Sequence, residues 1–333
     1  MSRRTTISDV AARAGVSKAT VSRVLSGTYP VSERTARAVR RAVDDLDYTA
    51  SARARSLATG RADAIAVVVS EPLDVFFADP TFSRILQGIA DELSGTETVP
   101  VLLPTATRAE QRKALRLVLN QSVDAVVHLS PWVDSGLLDE LIDHRVPVVL
   151  CGQDDDPERM RRFSLVYSDD RLGAADAAEH LVRRGARRPV AILGVPDQPA
   201  AVDRLSGYRQ AYPDLDGSRI RWGGWSEAAG ALAMRELLDA GVDFDALLAG
   251  SDRIARGAMS VLRAEGLDVP GDVAVIGYDD HPVAVEQAPR LTTIAQPMHL
   301  QGRTACRLAR EMVAGGEPRT IVLPTELRVR DTA

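Results

Sequence analysis

Two periodicities divide the chain. Up to about residue 48, apolar residues recur at helical spacing in short bursts. From residue 64 onward, solid β-branched runs alternate with longer amphipathic stretches. In the leading part Ile7, Val10, Ala11 and Ala14 share one face of a helix over Ile7–Ala14. Thr6 stands at its N-cap, and Asp9, three residues on, completes a capping box. Gly15 permits the left-handed turn that ends the helix. Val16 plugs that turn, and Ser17 caps a second helix over residues 18–25, whose inward stripe is Val21, Val24 and Leu25. Lys18, Ala19, Ser22 and Arg23 then lie on the opposite face. A third helix follows Ser32, with Val39, Val43 and Leu46 turned inward.

The body reads differently. "AIAVVVSE", "TVPVLLP", "VDAVVHLS", "VPVVLCG", "RPVAILG", "FDALLAG" and "DVAVIGYDD" are continuous apolar runs of the kind that parallel strands need when both faces are covered. Between them lie helical stretches such as "TFSRILQGIADEL", "RAEQRKALRLVLN", "DRLGAADAAEHLVRRG" and "SEAAGALAMRELLDAG". Strand and helix in alternation mean a doubly wound α/β fold. About 270 residues of this pattern exceed one sheet and fit two similar lobes with a cleft between the carboxyl ends of their strands.

Length agrees, since 333 residues are too many for one ordinary core. Charge adds an asymmetry. The formal net charge is −5, yet residues 1–60 hold eleven Lys and Arg against five Asp and Glu, and the remainder holds 30 against 41. A basic head on an acidic body suits a head that meets a polyanion. No run of 18 apolar residues occurs, and the opening "MSRRTTISDV" has cations without an apolar core, so neither a membrane span nor a secretory leader is expected. Cys151 and Cys306 form no metal or redox spacing and read as buried thiols of a reducing cytoplasm.

Two short helices joined at a glycine and braced by a third follow the helix-turn-helix plan. The second helix of that plan enters the major groove amino end first. Lys18 and Ala19 stand at that end and Arg23 one turn on. Arginine spans guanine O6 and N7, and an alanine methyl meets the thymine methyl. Thr6 and Ser17, which open the two helices, together with Thr20 and Ser22, suit phosphate oxygens. A three-helix protein-interaction module would have the same core.

"TTISDVAARAGVSKATVSRVLSG" resembles, nearly position by position, the amino-terminal signature of the LacI/GalR family of bacterial transcription regulators. The resemblance implies that Lys18, Ala19 and Arg23 read bases. It also implies that "ASARARSLA" is a hinge helix that folds when two subunits meet over the operator's minor groove. Leu57 matches the wedge between central base pairs, Ala54 the close approach of the paired hinges, and Arg53 and Arg55 their phosphate or groove contacts. Ala50 stands where a proline is common.

The resemblance continues through "DDRLGAADAAEHLVRRG", "RLSGYRQAY", "VPGDVAVIGYDD" and "LTTIAQP", which look like the family's effector-binding core, itself similar to periplasmic sugar-binding proteins. It implies a helix-turn-helix domain at 1–48, a hinge and linker at 49–61, and a core at 62–333 that crosses between lobes near Val166, Ala295 and Pro324. One lobe is then 62–165 with 296–325, and the other 166–295. Arg204 matches the residue that holds effector hydroxyls or a carboxylate, and Asp279 an acceptor from sugar hydroxyls. Trp225 matches a stacking platform and Phe77 an aromatic of the first lobe, while Ser251 and Asp252 stand where Asn-Asp is frequent. A fork donor, a carboxylate and an apolar platform suit a polyol. The plainer alternatives are an Arg204–Asp279 structural ion pair, Trp225 as core, and Phe76 with Phe77 as packing between lobes. Gly152 stands where some sugar-responsive members carry Asp, and "SEPLDVFFADPTF" is longer and more acidic than the usual loop.

No phosphate-loop, zinc-protease or nucleophile-elbow pattern occurs, and the five histidines lack ligand spacing. The resulting expectation is a non-enzymatic, cofactor-free, cytoplasmic regulator that associates with the nucleoid when on DNA. It acts as a homodimer repressor on a pseudo-palindromic operator, under a small ligand of carbohydrate type. No leucine-heptad tail for a tetramer is evident. The alternatives are a purine-type co-repressor, control by a protein co-factor, and, remotely, a sugar-processing enzyme.

Overall fold

The computed structural model describes residues 5–26, 30–48, 61–129, 136–154 and 156–333. The head consists of α1 (Ile7–Ala14), α2 (Lys18–Ser26) and α3 (Glu33–Asp45). Val10, Ala11, Val21, Val39 and Ala42 form its buried centre, with Ile7, Val16, Val24, Val43 and Leu46 packed around them. The turn after α1 forms at Gly15 with φ of 68°, a conformation that costs a side chain with Cβ roughly 1–2 kcal/mol. The Asp9 carboxylate accepts from the Thr6 backbone N–H at 2.8 Å and its hydroxyl at 2.7 Å. Ser17 Oγ accepts from the Thr20 N–H at 3.1 Å, which fixes the first turn of α2. Leu25 departs from the expected inward stripe. It is 40% exposed, because the packed seam of α2 closes on Val21 and Val24.

Among the described residues the body has two six-stranded sheets. The first contains β1 (Ala64–Val69), β2 (Val99–Pro104), β3 (Ala125–Leu129), β4 (Val148–Cys151), β5 (Ser164–Ser168) and β11 (Thr320–Leu323), in the order β2-β1-β3-β4-β5-β11, all parallel. The second contains β6 (Pro189–Leu193), β7 (Ile220–Trp222), β8 (Ala246–Ala249), β9 (Ala274–Asp279), β10 (Thr292–Ala295) and β12 (Glu326–Arg328). Its order is β7-β6-β8-β9-β10-β12, parallel except for β10 against β12. Fully buried strands such as β1 and β3 explain the unbroken apolar runs.

Helices cover both faces of each sheet. In the first lobe α4 (Leu73–Ala78) leads into α5 (Pro80–Leu93), while α6 (Arg108–Leu119) and α7 (Leu137–Asp143) take the other face and α8 (Pro157–Met160) is a single turn. In the second lobe α9 (Asp170–Arg183) and α10 (Pro199–Ala211) pack on one face, α11 (Glu227–Asp239) and α12 (Asp252–Ala264) on the other, and α13 (Val283–Glu286) is a short turn. The chain then returns to the first lobe as α14 (Met298–Val313), beside α5. Cys151 and Cys306 are free thiols in that core.

The crossings differ in detail from the boundaries expected. The first follows Ser168 rather than Val166, because β5 continues along β11 with Tyr167 opposite Val322 and Ser168 opposite Leu323. The second follows Ala295, and the third lies between Leu323 and Glu326. Residues 326–333 belong to the second lobe, which a limit of 166–295 leaves out: the Val275 N–H donates to the Thr332 carbonyl at 2.8 Å. Among the described residues, no helix is long and apolar enough to cross a membrane.

Candidate functional site

The carboxyl ends of both sheets face a cavity of about 530 Å³ lined from both lobes. At its floor Arg204, carried by α10, is 4% exposed. Its Nε donates to Asp170 Oδ1 at 2.9 Å, Nη2 lies 3.4 Å from Asp279 Oδ1, and Nη1 donates to the Gly250 carbonyl. The guanidinium also lies 3.8 Å from the centre of the Tyr278 ring and 5.3 Å from that of Trp225. Burial pushes the Asp170 and Asp279 carboxyls above the usual carboxylate range, against the pull of Arg204. Burial alone would lower Arg204, but the two carboxyls outweigh it and its pKa is raised, so the charge is permanent. Gln296 Nε2 donates to Asp279 Oδ1 at 2.5 Å. Asp279 itself has φ of 104°, a strained backbone held by this network.

Trp225 also lines the cavity. Its indole lies against Gly194, where a Cβ would land on the ring, and its Nε1 donates to Gln198 Oε1 at 2.5 Å. Ser251 lines the cavity too, while its hydroxyl caps α12 by accepting from the Ile254 N–H at 3.2 Å. Arg204, Asp279, Trp225 and Ser251 are thus brought together.

Phe77 and Asp252 are not part of this wall. Phe77 is 68% exposed, outside the cavity lining. Phe76 takes the buried side of α4, and the next residue points about 100° round the helix. The first lobe's aromatic lining comes instead from Tyr167 and from Phe82, which is stacked on Phe76 with ring centres 4.7 Å apart. Asp252 is fully buried beneath the site. It accepts from the His281 N–H at 2.7 Å and the Thr293 hydroxyl at 2.5 Å, and burial pushes its carboxyl well up.

Sequence reasoning missed Glu71, Asp79, Thr81, Gln198, Arg253, His281 and Gln296, all of which line the cavity. The long acidic "SEPLDVFFADPTF" was the available signal for the first three, and the structure makes it one wall. His281 shows no ligand spacing to the other histidines, and its partners in the opposite lobe, Asp79 and Thr81, lie about 200 residues away in sequence.

On the head, Thr6, Ser17, Lys18, Ala19 and Arg23 are exposed, while Thr20 and Ser22 are half-buried. The Thr20 hydroxyl lies 2.9 Å from that of Ser17. Ala50, Arg53, Ala54, Arg55 and Leu57 lie outside the described residues.

Comparison with known proteins decides the family. The profile of the lacI family of bacterial regulatory proteins matches residues 6–51, and that of a periplasmic binding protein-like domain matches 178–333. The HTH-type transcriptional regulator CelR of Thermobifida fusca is 39% identical over 337 residues, covering 99% of this chain and 98% of its own. The chain belongs to the LacI family. The HTH-type transcriptional regulator AscG of Escherichia coli is 32% identical over 305 residues, 88% of each chain. Among solved LacI-family structures, a CelR–cellobiose complex superposes with a TM-score of 0.78 at 37% identity, covering 99% of this chain and 100% of its own. A lac repressor dimer bound to operator and the anti-inducer ONPF gives 0.84 at 26% identity, covering 99% of each. The protein is therefore a DNA-binding transcriptional regulator with a helical head and a two-lobed, periplasmic-binding-protein-like core.

Proposed function

We propose that this regulator binds a pseudo-palindromic operator as a homodimer repressor in the bacterial cytoplasm, and that a neutral sugar in the cleft sets its operator affinity. The observation that carries the reading is Arg204 held between Asp170 and Asp279. Its charge is already matched, so it offers no surplus to an anionic ligand. The wall adds Glu71, Asp74 and Asp79 against Arg253, which leaves carboxylates in excess. Carboxylates and the amides of Gln153, Gln198 and Gln296 answer hydroxyl groups, whereas a phosphate or uronate would meet like charge. Trp225 and Phe82 offer apolar faces from opposite lobes to the C–H faces of sugar rings. The cavity is within the usual range for small-ligand sites. The similar CelR structure, solved as a cellobiose complex, makes a β-linked disaccharide of glucose the first candidate.

In this reading Arg204, Asp279, Trp225 and Ser251 contact the effector and no bond in it is broken. Lys18, Ala19 and Arg23 read bases, Thr6, Ser17, Thr20 and Ser22 hold phosphates, and Ala54, Arg55 and Leu57 serve the hinge. The test is thermal unfolding of the full chain with cellobiose, glucose, glucose 6-phosphate and guanine. At 100 times its Kd a ligand adds roughly 2.7 kcal/mol of stability. Cellobiose is expected to raise Tm in the wild type and not in Trp225→Ala. A shift with guanine or the sugar phosphate alone overturns the neutral-sugar reading.

A further inference from the structure

The segment from Glu71 to Phe82 does more than line the cleft; it reaches across it. Asp79 caps α5, its Oδ1 accepting from the Thr81 N–H at 2.9 Å. Its Oδ2 accepts from Nη1 of Arg253, in the second lobe, at 3.2 Å. Thr81 Oγ1 lies 2.9 Å from Nε2 of His281, also in the second lobe. That imidazole is 1% exposed, and its Nε2 lies 3.7 Å from Asp79 Oδ1 and 3.8 Å from Asp279 Oδ2. The His281 backbone is pinned in turn by Asp252. On the far side of the cleft, Gln153 Nε2 donates to Asp203 Oδ2 at 3.2 Å.

We infer that Asp79, Thr81, Arg253 and His281 are positioning residues, a latch that holds the lobes closed over the cleft before any ligand arrives. Its cross-cleft contacts join side chains of this chain, and none needs a ligand. The Asp79–Arg253 pair is shielded, with side chains 16% and 21% exposed, so its attraction is less screened than that of a surface pair. The capped start of α5 holds Asp79 and Thr81 in place, so little side-chain freedom is lost in closing. Through His281 the latch also sets the place of Asp279, and hence of the acceptor beside Arg204. A cleft already closed binds more tightly, because the competent state is more populated.

The latch matters for regulation only if the cleft is the effector site, whereas closure itself is readable with no sugar present. Lys113 in the first lobe and Glu265 in the second are exposed and, changed to cysteine, can carry spin labels, while Cys151 and Cys306 are buried from the reagent. Pulsed dipolar distances are measured in the full chain without sugar, with labelled chains diluted into unlabelled ones so that only distances within one chain are read. We expect one narrow distance in the protein with the native latch. Asp79→Asn, Arg253→Gln and Thr81→Val should each add a longer population, while Arg253→Lys, which keeps the charge, should keep the native one. In parallel, cellobiose affinity should fall about tenfold in those three variants and stay near native in Arg253→Lys. Neutral variants that keep the native distance, or a native-latch protein that is broadly open, overturn the latch. Native-latch protein that is closed yet takes no cellobiose, and binds guanine or glucose 6-phosphate instead, overturns the neutral-sugar reading and leaves the latch standing.

Discussion

Arg204 shows how much one side chain can be asked to hold. Three of its nitrogens are engaged with Asp170, Asp279 and the Gly250 carbonyl, and little of it is left exposed at the cavity wall. Arg204→Ala leaves two buried carboxyls unmatched, and breaking a buried pair costs about 3–5 kcal/mol. Denaturant unfolding should show that loss. Arg204→Lys should recover little of it, since a point charge cannot span the three acceptors. A histidine in the first lobe makes a pH prediction. The buried His128 imidazole has its Nε2 3.4 Å from the Ser70 hydroxyl, and burial lowers its pKa to about 4. Between an unfolded value near 6.5 and that folded value, the unfolded chain binds the proton and the native protein does not. Stability therefore falls as pH drops through this window, by about 3 kcal/mol from His128 alone. Asp170, Asp279 and Asp252, all raised by burial, act the other way and gain stability on acidification. His128→Leu should therefore lose less Tm between pH 7 and pH 5 than the wild type; equal losses would refute the assignment. Sequence could name Arg204, Trp225 and Asp279 by their motifs. It named Phe77 where Phe82 lines the cleft, because which ring faces the cleft depends on where α4 stops and α5 starts.

At the scale of elements, the lobes are drawn tight by paired glycines where helices cross. A Cβ on Gly88 of α5 would land on the His299 carbonyl of α14, and one on Gly302 of α14 on the Ile85 carbonyl of α5. In the second lobe Gly230 and Gly257 make the same reciprocal contact between α11 and α12. Each obstacle is backbone, which cannot rotate aside. Gly302→Val should therefore force α14 from α5 and destabilise the first lobe by about 1–3 kcal/mol, with the helix-turn-helix head unaffected. Amide exchange resolved by segment would separate the two, and uniform loss of protection would refute a local effect. The buried strands were legible because both their faces are covered, which forbids polar residues. The edges were not. β7 and β12 have three residues each, and β11 alternates exposed with buried positions. In β5, "SLVYS", serines flank the apolar centre, so the strand's end at Ser168, and with it the first crossing, could be fixed only by pairing with β11.

For the whole molecule the question is how a cleft can act on a head. Head, hinge and core each carried a local signal, in caps, small basic residues and apolar runs. The cleft carried less, because its wall joins residues as distant in sequence as Glu71, Arg204 and Gln296. On the head Arg23 is exposed at the reading face of α2, so Arg23→Ala should relax preference at one base pair by about 1–3 kcal/mol in a binding-site selection. Coupling between the two ends has a stricter requirement. A ligand shifts operator affinity only through its different affinities for the DNA-bound and free states, and typical couplings are about 1–3 kcal/mol, or roughly 5- to 150-fold. Linkage is reciprocal, so operator DNA must change cellobiose affinity by the same factor that cellobiose changes operator affinity. Sugar titrations of the full chain, alone and saturated with operator at fixed salt, measure one side of the cycle, and operator titrations with and without sugar measure the other. Equal, non-unit factors are expected. A sugar that binds equally well in both states occupies the cleft without regulating, and a latched cleft would then be a store of binding energy that the hinge never feels.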